Sequence, residues 1–182
     1  TQTLALLEGH LNVDTLNIAS GGGGANIITA MDLDVAGVNI TGAQNFTISG
    51  LTSNAGATEE LEIIDASALT GTLSLTLTNA DNALTVTGSA TAANTVVLSG
   101  GDDIYVGGAG VDTVTGAAGD DTITLGGGID AVIISSLAAA GEAKDIVKDF
   151  AIGVDNIDIN VTLVDDDENN SAAGDAGNHY VD

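Results

Sequence analysis

The chain has 182 residues, and its 26 acidic side chains face only two basic ones, for a formal net charge of −24 at pH 7. That balance argues against a nucleic-acid partner or an anionic membrane surface, both of which need a basic face, and no 18-residue apolar run exists to span a bilayer. With 44% apolar residues, 2% aromatics, no Cys and no Pro, the chain is too apolar for disorder, too poor in large rings for a thick globular core, and without a disulfide framework.

Short alternating runs recur from the N-terminus. "TLNIAS" at 15–20 leads into four glycines at 21–24, read as a flexible turn. "NFTISG" at 45–50 and "LEIIDAS" at 61–67 share its outline, an apolar pair two apart followed by a small residue. "TLSLTLTN" at 72–79 places Leu73, Leu75 and Leu77 on one face and Ser74, Thr76 and Thr78 on the other. "ALTVTG" at 83–88 and "NTVVLSG" at 94–100 continue the series. Each run is bounded by Gly, Asn, Asp or Ser, the pattern of strands between tight turns. The absence of proline suits strands paired on both sides. Further on, "SLAAAGEAKDIVKDF" at 136–150 predicts a helix interrupted at Gly141, with Ile146, Val147 and Phe150 roughly on one side. "NIDINVTLV" at 156–164 reads as a strand, and "DDDENNSAAGDAGN" at 165–178 as an exposed acidic loop. Opening on Thr1, the sequence is read as an internal stretch of something longer.

Between these regions the period locks at nine. Asp103, Asp112, Asp121 and Asp130 are evenly spaced; Gly101, Gly110, Gly119 and Gly128 precede them by two, and Tyr105, Val114, Ile123 and Val132 follow by two. A three-residue strand and a six-residue turn make half a coil, so positions 18 apart stack: Asp103 over Asp121, Asp112 over Asp130. The fold expected is an all-β parallel β-solenoid. Residues 1–97 would form irregular rungs, 98–136 a regular array, and 137–182 a capping segment with the acidic loop. Stacked carboxylates about 4.8 Å apart repel unless a cation lies between them. Calcium suits, since it takes six to eight oxygens in flexible geometry, whereas magnesium demands stricter geometry and keeps its waters. Zinc has little to build with: there is no Cys, and His10 and His179 are far apart.

"GGAGVDTVT" at 107–115 matches the RTX calcium-binding nonapeptide G-G-x-G-x-D-x-U-x at every specified position. "GAAGDDTIT" at 116–124 departs once, at Ala117; "LGGGIDAVI" at 125–133 lacks the first glycine; "LSGGDDIYV" at 98–106 lacks the first two. The stretch therefore resembles the calcium-binding β-roll of that family. The resemblance implies one ion held by Ser99, Gly101 and Asp103 with Gly116, Ala118 and Asp121. A second would be held by Gly108, Gly110 and Asp112 with Leu125, Gly127 and Asp130. Aspartates contribute carboxylates and the other residues carbonyls. A third pairing, Asn94 with Asp112, lacks one charge. "DIVKDFAIGVDNIDI" at 145–159 is similar to the closing segment of type I secreted RTX proteins, and its Asp145, Asp149, Asp155 and Asp158 are read either as solvated charge or as further calcium contacts.

No H-E-x-x-H, G-x-S-x-G or Cys nucleophile is present, so no enzyme activity is expected. The acidic run Asp165–Glu168 lacks the glycine and glutamate of an EF-hand loop, and Gly21–Gly24 has no following Lys-Ser/Thr and is no phosphate loop. The Thr/Ala/Asn-rich, Cys-free acidic makeup resembles RTX-bearing bacterial surface-layer proteins. The resemblance implies an extracellular, calcium-stabilised structural segment that self-associates into a lattice on the cell surface, without inserting into the membrane. The alternatives are an adhesin or binding module, or the non-catalytic C-terminal secretion and folding domain of an RTX hydrolase.

Overall fold

The computed structural model describes residues 2–4, 7–9, 14–33, 35–53, 61–77, 82–134 and 144–159. The alternating runs form strands that coil into two sheets, and every pairing within them is parallel. One sheet is 10-stranded, running from Gln2–Leu4 through Asn26–Ile28, Phe46–Ser53, Leu73–Leu77, Asn94–Val97, Asp112–Thr115 and Ala131–Ile134 to Asn156–Ile159. Leu7–Gly9 and Met31–Leu33 are joined beside that path. The other is 7-stranded: Thr15–Ser20, Gly37–Gly42, Ile63–Asp65, Thr85–Thr87, Ile104–Val106, Thr122–Thr124 and Ile146–Val147. From Ile63 onward the chain crosses from one sheet to the other at every strand, so each pair of strands is one circuit of a β-solenoid.

Circuit length is read from the register. Asn94 lies opposite Asp112, Ile104 opposite Thr122 and Thr113 opposite Ala131, an 18-residue circuit throughout the nonapeptides. Upstream, Gly37 faces Ile63 and Phe46 faces Leu73, circuits of 26 and 27 residues whose excess lies in the connections. Downstream, Thr122 faces Ile146 and Ala131 faces Asn156, after 24 and 25 residues. Neither sheet breaks where the array begins or ends: Leu73–Leu77 pairs with Asn94–Val97, and Ala131–Ile134 with Asn156–Ile159.

One apolar layer fills the space between the sheets. Leu73, Leu75 and Leu77 are buried while Ser74 and Thr76 are only half-buried, as the alternation predicts. Val38, Ile40, Ile64, Val86, Tyr105 and Ile123 come from the smaller sheet, and Ile48, Val96, Val114 and Val132 from the larger, all into one cluster. The residue two after each array aspartate is thus a core residue, and Leu98 and Leu125, at the first positions of their repeats, add to the same layer.

The expected helix over 136–150 is not found in its described part. Ile146–Val147 is a strand paired with Thr122–Thr124, and no helix occurs among the described residues. Two β-branched residues that can cover the open end of the smaller sheet favour pairing there over a helical turn. The alanines that suggested a helix, at 138–140 and 143, lie outside the described residues, as do the acidic loop at 165–178 and the far half of the last predicted strand.

Candidate calcium ladders at the turns

Each nonapeptide turn delivers its aspartate to the start of a strand, and the solenoid buries all four. Asp103, Asp112, Asp121 and Asp130 are 0–1% exposed. The Asp103 N–H donates to Asp121 Oδ1 (2.9 Å) and the Asp112 N–H to Asp130 Oδ1 (2.8 Å). Each ladder extends one step upstream, with Leu84 N–H on Asp103 Oδ1 (2.8 Å) and Asn94 N–H on Asp112 Oδ1 (2.9 Å).

The second carboxylate oxygen separates the turns into two kinds. In 98–103 and 107–112 it is satisfied from within the turn. Asp103 Oδ2 accepts from the Ser99 N–H (2.9 Å) and hydroxyl (2.7 Å). Asp112 Oδ2 accepts from the Gly108 N–H (3.3 Å) and from the Tyr105 hydroxyl (3.1 Å), which reaches across from the opposite sheet. In 116–121 and 125–130 the corresponding oxygens, Asp121 Oδ2 and Asp130 Oδ2, are buried without any hydrogen-bond partner. The backbone explains the difference. The residue four before the aspartate is left-handed in these two turns, Ala117 at φ 73° and Gly126 at φ 92°, and so is the one two before it, Gly119 at 105° and Gly128 at 147°. Ser99, Gly101, Gly108 and Gly110 have no such conformation. The amide that closes the first two turns is turned elsewhere in the last two; that of Gly126 donates to Asp149 Oδ2 (2.8 Å).

Carbonyl oxygens face the same gaps. A Cβ on Gly119 would collide with the Gly101 carbonyl, one on Gly126 with that of Gly108, and one on Gly128 with that of Gly110. Three of the carbonyls expected as ligands are therefore directed at the next circuit. Ser99, Gly101 and Gly116 are buried, and Gly108 and Gly110 half-buried. Leu125 buries its side chain in the core while its carbonyl and Asp112 Oδ2 crowd the α-carbon of Gly107. Ala118 and Gly127 are exposed, and the Gly127 N–H donates to the Gly108 carbonyl (2.8 Å).

Burial leaves the carboxylates with uncompensated charge. Desolvation is the leading cause raising the pKa values of Asp103, Asp112 and Asp121 above the ordinary carboxylate value. Asp121 is pushed up to about 7, with the charges of Asp145, Asp103 and Asp102 adding to the effect. Burial likewise raises the Tyr105 hydroxyl, followed by the charge of Asp112, so it stays a donor. Among the described residues no group of three or more His, Cys, Asp or Glu side chains could hold an ion by itself. The carboxylates come in pairs, and an ion there must complete its shell with carbonyls and water. An all-oxygen donor set with orphaned buried anions fits calcium.

Asn94 shows what happens where the aspartate is missing. Its Nδ2 donates to the Ser89 carbonyl (3.1 Å), the Ala92 carbonyl (3.3 Å) and Asp112 Oδ1 (2.8 Å). The amide gathers two turn carbonyls and the next carboxylate, the company a cation would keep, and it does so without an ion.

Residues 98–132 match the RTX calcium-binding nonapeptide repeat in four copies. No curated protein and no solved structure matches the chain. A parallel β-solenoid whose turns stack aspartates at an 18-residue interval is a β-roll, and these four repeats bind calcium.

The contribution of the closing segment was not legible from the nine-residue period. Asp145 Oδ1 accepts the Asp121 N–H (3.2 Å) and Asp155 Oδ1 the Asp130 N–H (3.1 Å), one further rung on each ladder. Asp149 clamps the Leu125 and Gly126 amides (2.7 and 2.8 Å), while Asp158 is exposed. An outer ladder also runs from Asp102, which accepts the Asp120 N–H, to Asp120, which accepts the Lys144 N–H (both 2.8 Å). One signal was available: Gly153-x-Asp155-x-Ile157 repeats the G-x-D-x-U half of the nonapeptide, displaced by the longer circuit.

Proposed function

We propose that the chain is a non-catalytic, calcium-stabilised structural segment of a secreted bacterial surface-layer protein. The ions lie between Ser99, Gly101, Asp103 and Gly116, Ala118, Asp121, and between Gly108, Gly110, Asp112 and Leu125, Gly127, Asp130. The observation that carries the structural reading is continuity: the described residues upstream of the array add rungs to the same two sheets. A solenoid of this kind supplies rigid length, and any open sheet edge it presents favours self-association. Where calcium is scarce, the net negative charge opposes closure; where it is abundant, ion binding becomes folding free energy.

Negative-stain electron microscopy of the purified chain tests this function. Ordered sheets or extended assemblies in calcium that disperse in chelator are the expected result. A folded, monodisperse monomer in saturating calcium at every concentration tried contradicts the lattice reading, and specific capture of a soluble ligand by that monomer favours the adhesin alternative.

A further inference from the structure

We propose that the calcium ladders run on beyond the nonapeptides, and that Asp145 and Asp155 each complete an ion site against the last two repeats. The inference rests on the calcium reading of the array and adds two sites whose second carboxylate lies outside the matched residues.

The orphaned oxygens carry it. Asp121 and Asp130 are 1% exposed, and each leaves Oδ2 without a partner, whereas Asp103 and Asp112 leave none. The unsatisfied atoms thus belong to the two turns against which the closing segment docks. At Gly116 the geometry is direct. A Cβ built there would stand 2.6 Å from Asp121 Oδ2 and 3.1 Å from Asp145 Oδ2, so the two carboxylate oxygens converge on one glycine α-carbon. Asp145 already occupies the register position of the ladder, since Ile146 pairs with Thr122 and Asp121 donates its N–H to Asp145 Oδ1. A buried anion, Asp121, and an exposed one, Asp145, meeting at a residue without a side chain leave room for a cation that the solvent side can reach.

On the other ladder, Asp155 reproduces the nonapeptide turn. Its Oδ2 accepts the Ala151 N–H (2.8 Å), the same four-residue return that Asp103 makes to Ser99 and Asp112 to Gly108. Gly153, two residues before it, is left-handed at φ 84°, as Gly119 and Gly128 are before Asp121 and Asp130. Ile157, two residues after it, lies opposite Val132. Residues 150–158 are therefore a fifth turn of the array in all but its first glycines, facing the unsatisfied Asp130.

The test counts ions. Equilibrium dialysis of the full chain with calcium alone is compared among the native chain, Asp145→Asn, Asp155→Asn, Asp112→Asn and Asp158→Asn. Asp145→Asn and Asp155→Asn are each expected to bind one calcium fewer, as Asp112→Asn does, while Asp158→Asn binds the native number. If Asp112→Asn loses ions but Asp145→Asn and Asp155→Asn lose none, the extension is overturned and the array reading stands; if no variant loses an ion, both fall. Should a variant not reach the native far-UV spectrum in saturating calcium, anomalous diffraction from native crystals decides. A calcium peak within about 2.6 Å of both Asp121 Oδ2 and Asp145 Oδ2 supports the site, and its absence overturns it.

Discussion

A buried carboxylate oxygen with no donor costs on the order of 1–3 kcal/mol or more, and among the described residues there are two, on Asp121 and Asp130. The titration of Asp121 has a definite sign. The folded-state pKa of Asp121 is raised to about 7, above an unfolded value of about 3.9, and those of Asp103 and Asp112 are raised as well. Without calcium, the folded form therefore holds protons more tightly. The stabilisation is complete below about pH 4 and is lost as pH rises through about 7. With calcium the order reverses, because the ion binds deprotonated carboxylate. The residual far-UV β-signal in chelator should be stronger at about pH 5 than at about pH 8, whereas the urea midpoint in calcium should be lower at about pH 5; the same order in both conditions contradicts the account. Asn94 gives a second test. Replacing its amide with a carboxylate removes three donated hydrogen bonds and stacks a new anion over Asp112. Asn94→Asp should weaken the residual β-signal in chelator and bind one calcium more than the native chain in dialysis. Ala117 gives a third. A left-handed alanine costs roughly 1–2 kcal/mol, and glycine's extra chain entropy offsets about half of that. Ala117→Gly should raise stability in calcium by up to about 1 kcal/mol, read as a rise in urea midpoint at constant slope.

At the scale of elements, each strand contributes few core side chains, so single losses are felt. Ile123 is fully buried and stacks between Tyr105 and Val147 of the neighbouring strands. Ile123→Ala should cost about 2–5 kcal/mol, measured by thermal unfolding in saturating calcium, whereas Thr122→Ala, beside it but facing out, should change little. Strands with clean period-two alternation, such as Leu73–Leu77, were legible because burial on one face dictates the pattern. The turns of the array were legible because glycine, aspartate and strand former repeat together. Ile146–Val147 was not, because a two-residue strand leaves no periodicity and takes its conformation from the sheet it completes. The ladder roles of Asp145 and Asp155 were hidden for a related reason: circuits of 24 and 25 residues carry them out of the nine-residue phase, and only three-dimensional register restores it. The two kinds of turn were illegible altogether. Ala117 occupies a glycine position and still adopts the left-handed backbone, which no residue-by-residue match predicts.

Over the whole molecule, a chain with a net charge of −24 buries the four array aspartates inside its coil. The hydrophobic layer is one side chain deep and nearly free of aromatics, so it opposes that repulsion with little reserve. Cations bound between the turns both neutralise the acids and tie successive circuits together, which makes calcium part of the fold rather than a ligand added to it. The most direct measurement is far-UV circular dichroism of the purified chain, recorded in excess chelator and then through a calcium titration, with magnesium as the control. A weak β-signal in chelator that rises cooperatively with calcium, and not with magnesium, is the predicted result. An identical full β-signal in chelator and in calcium would contradict it.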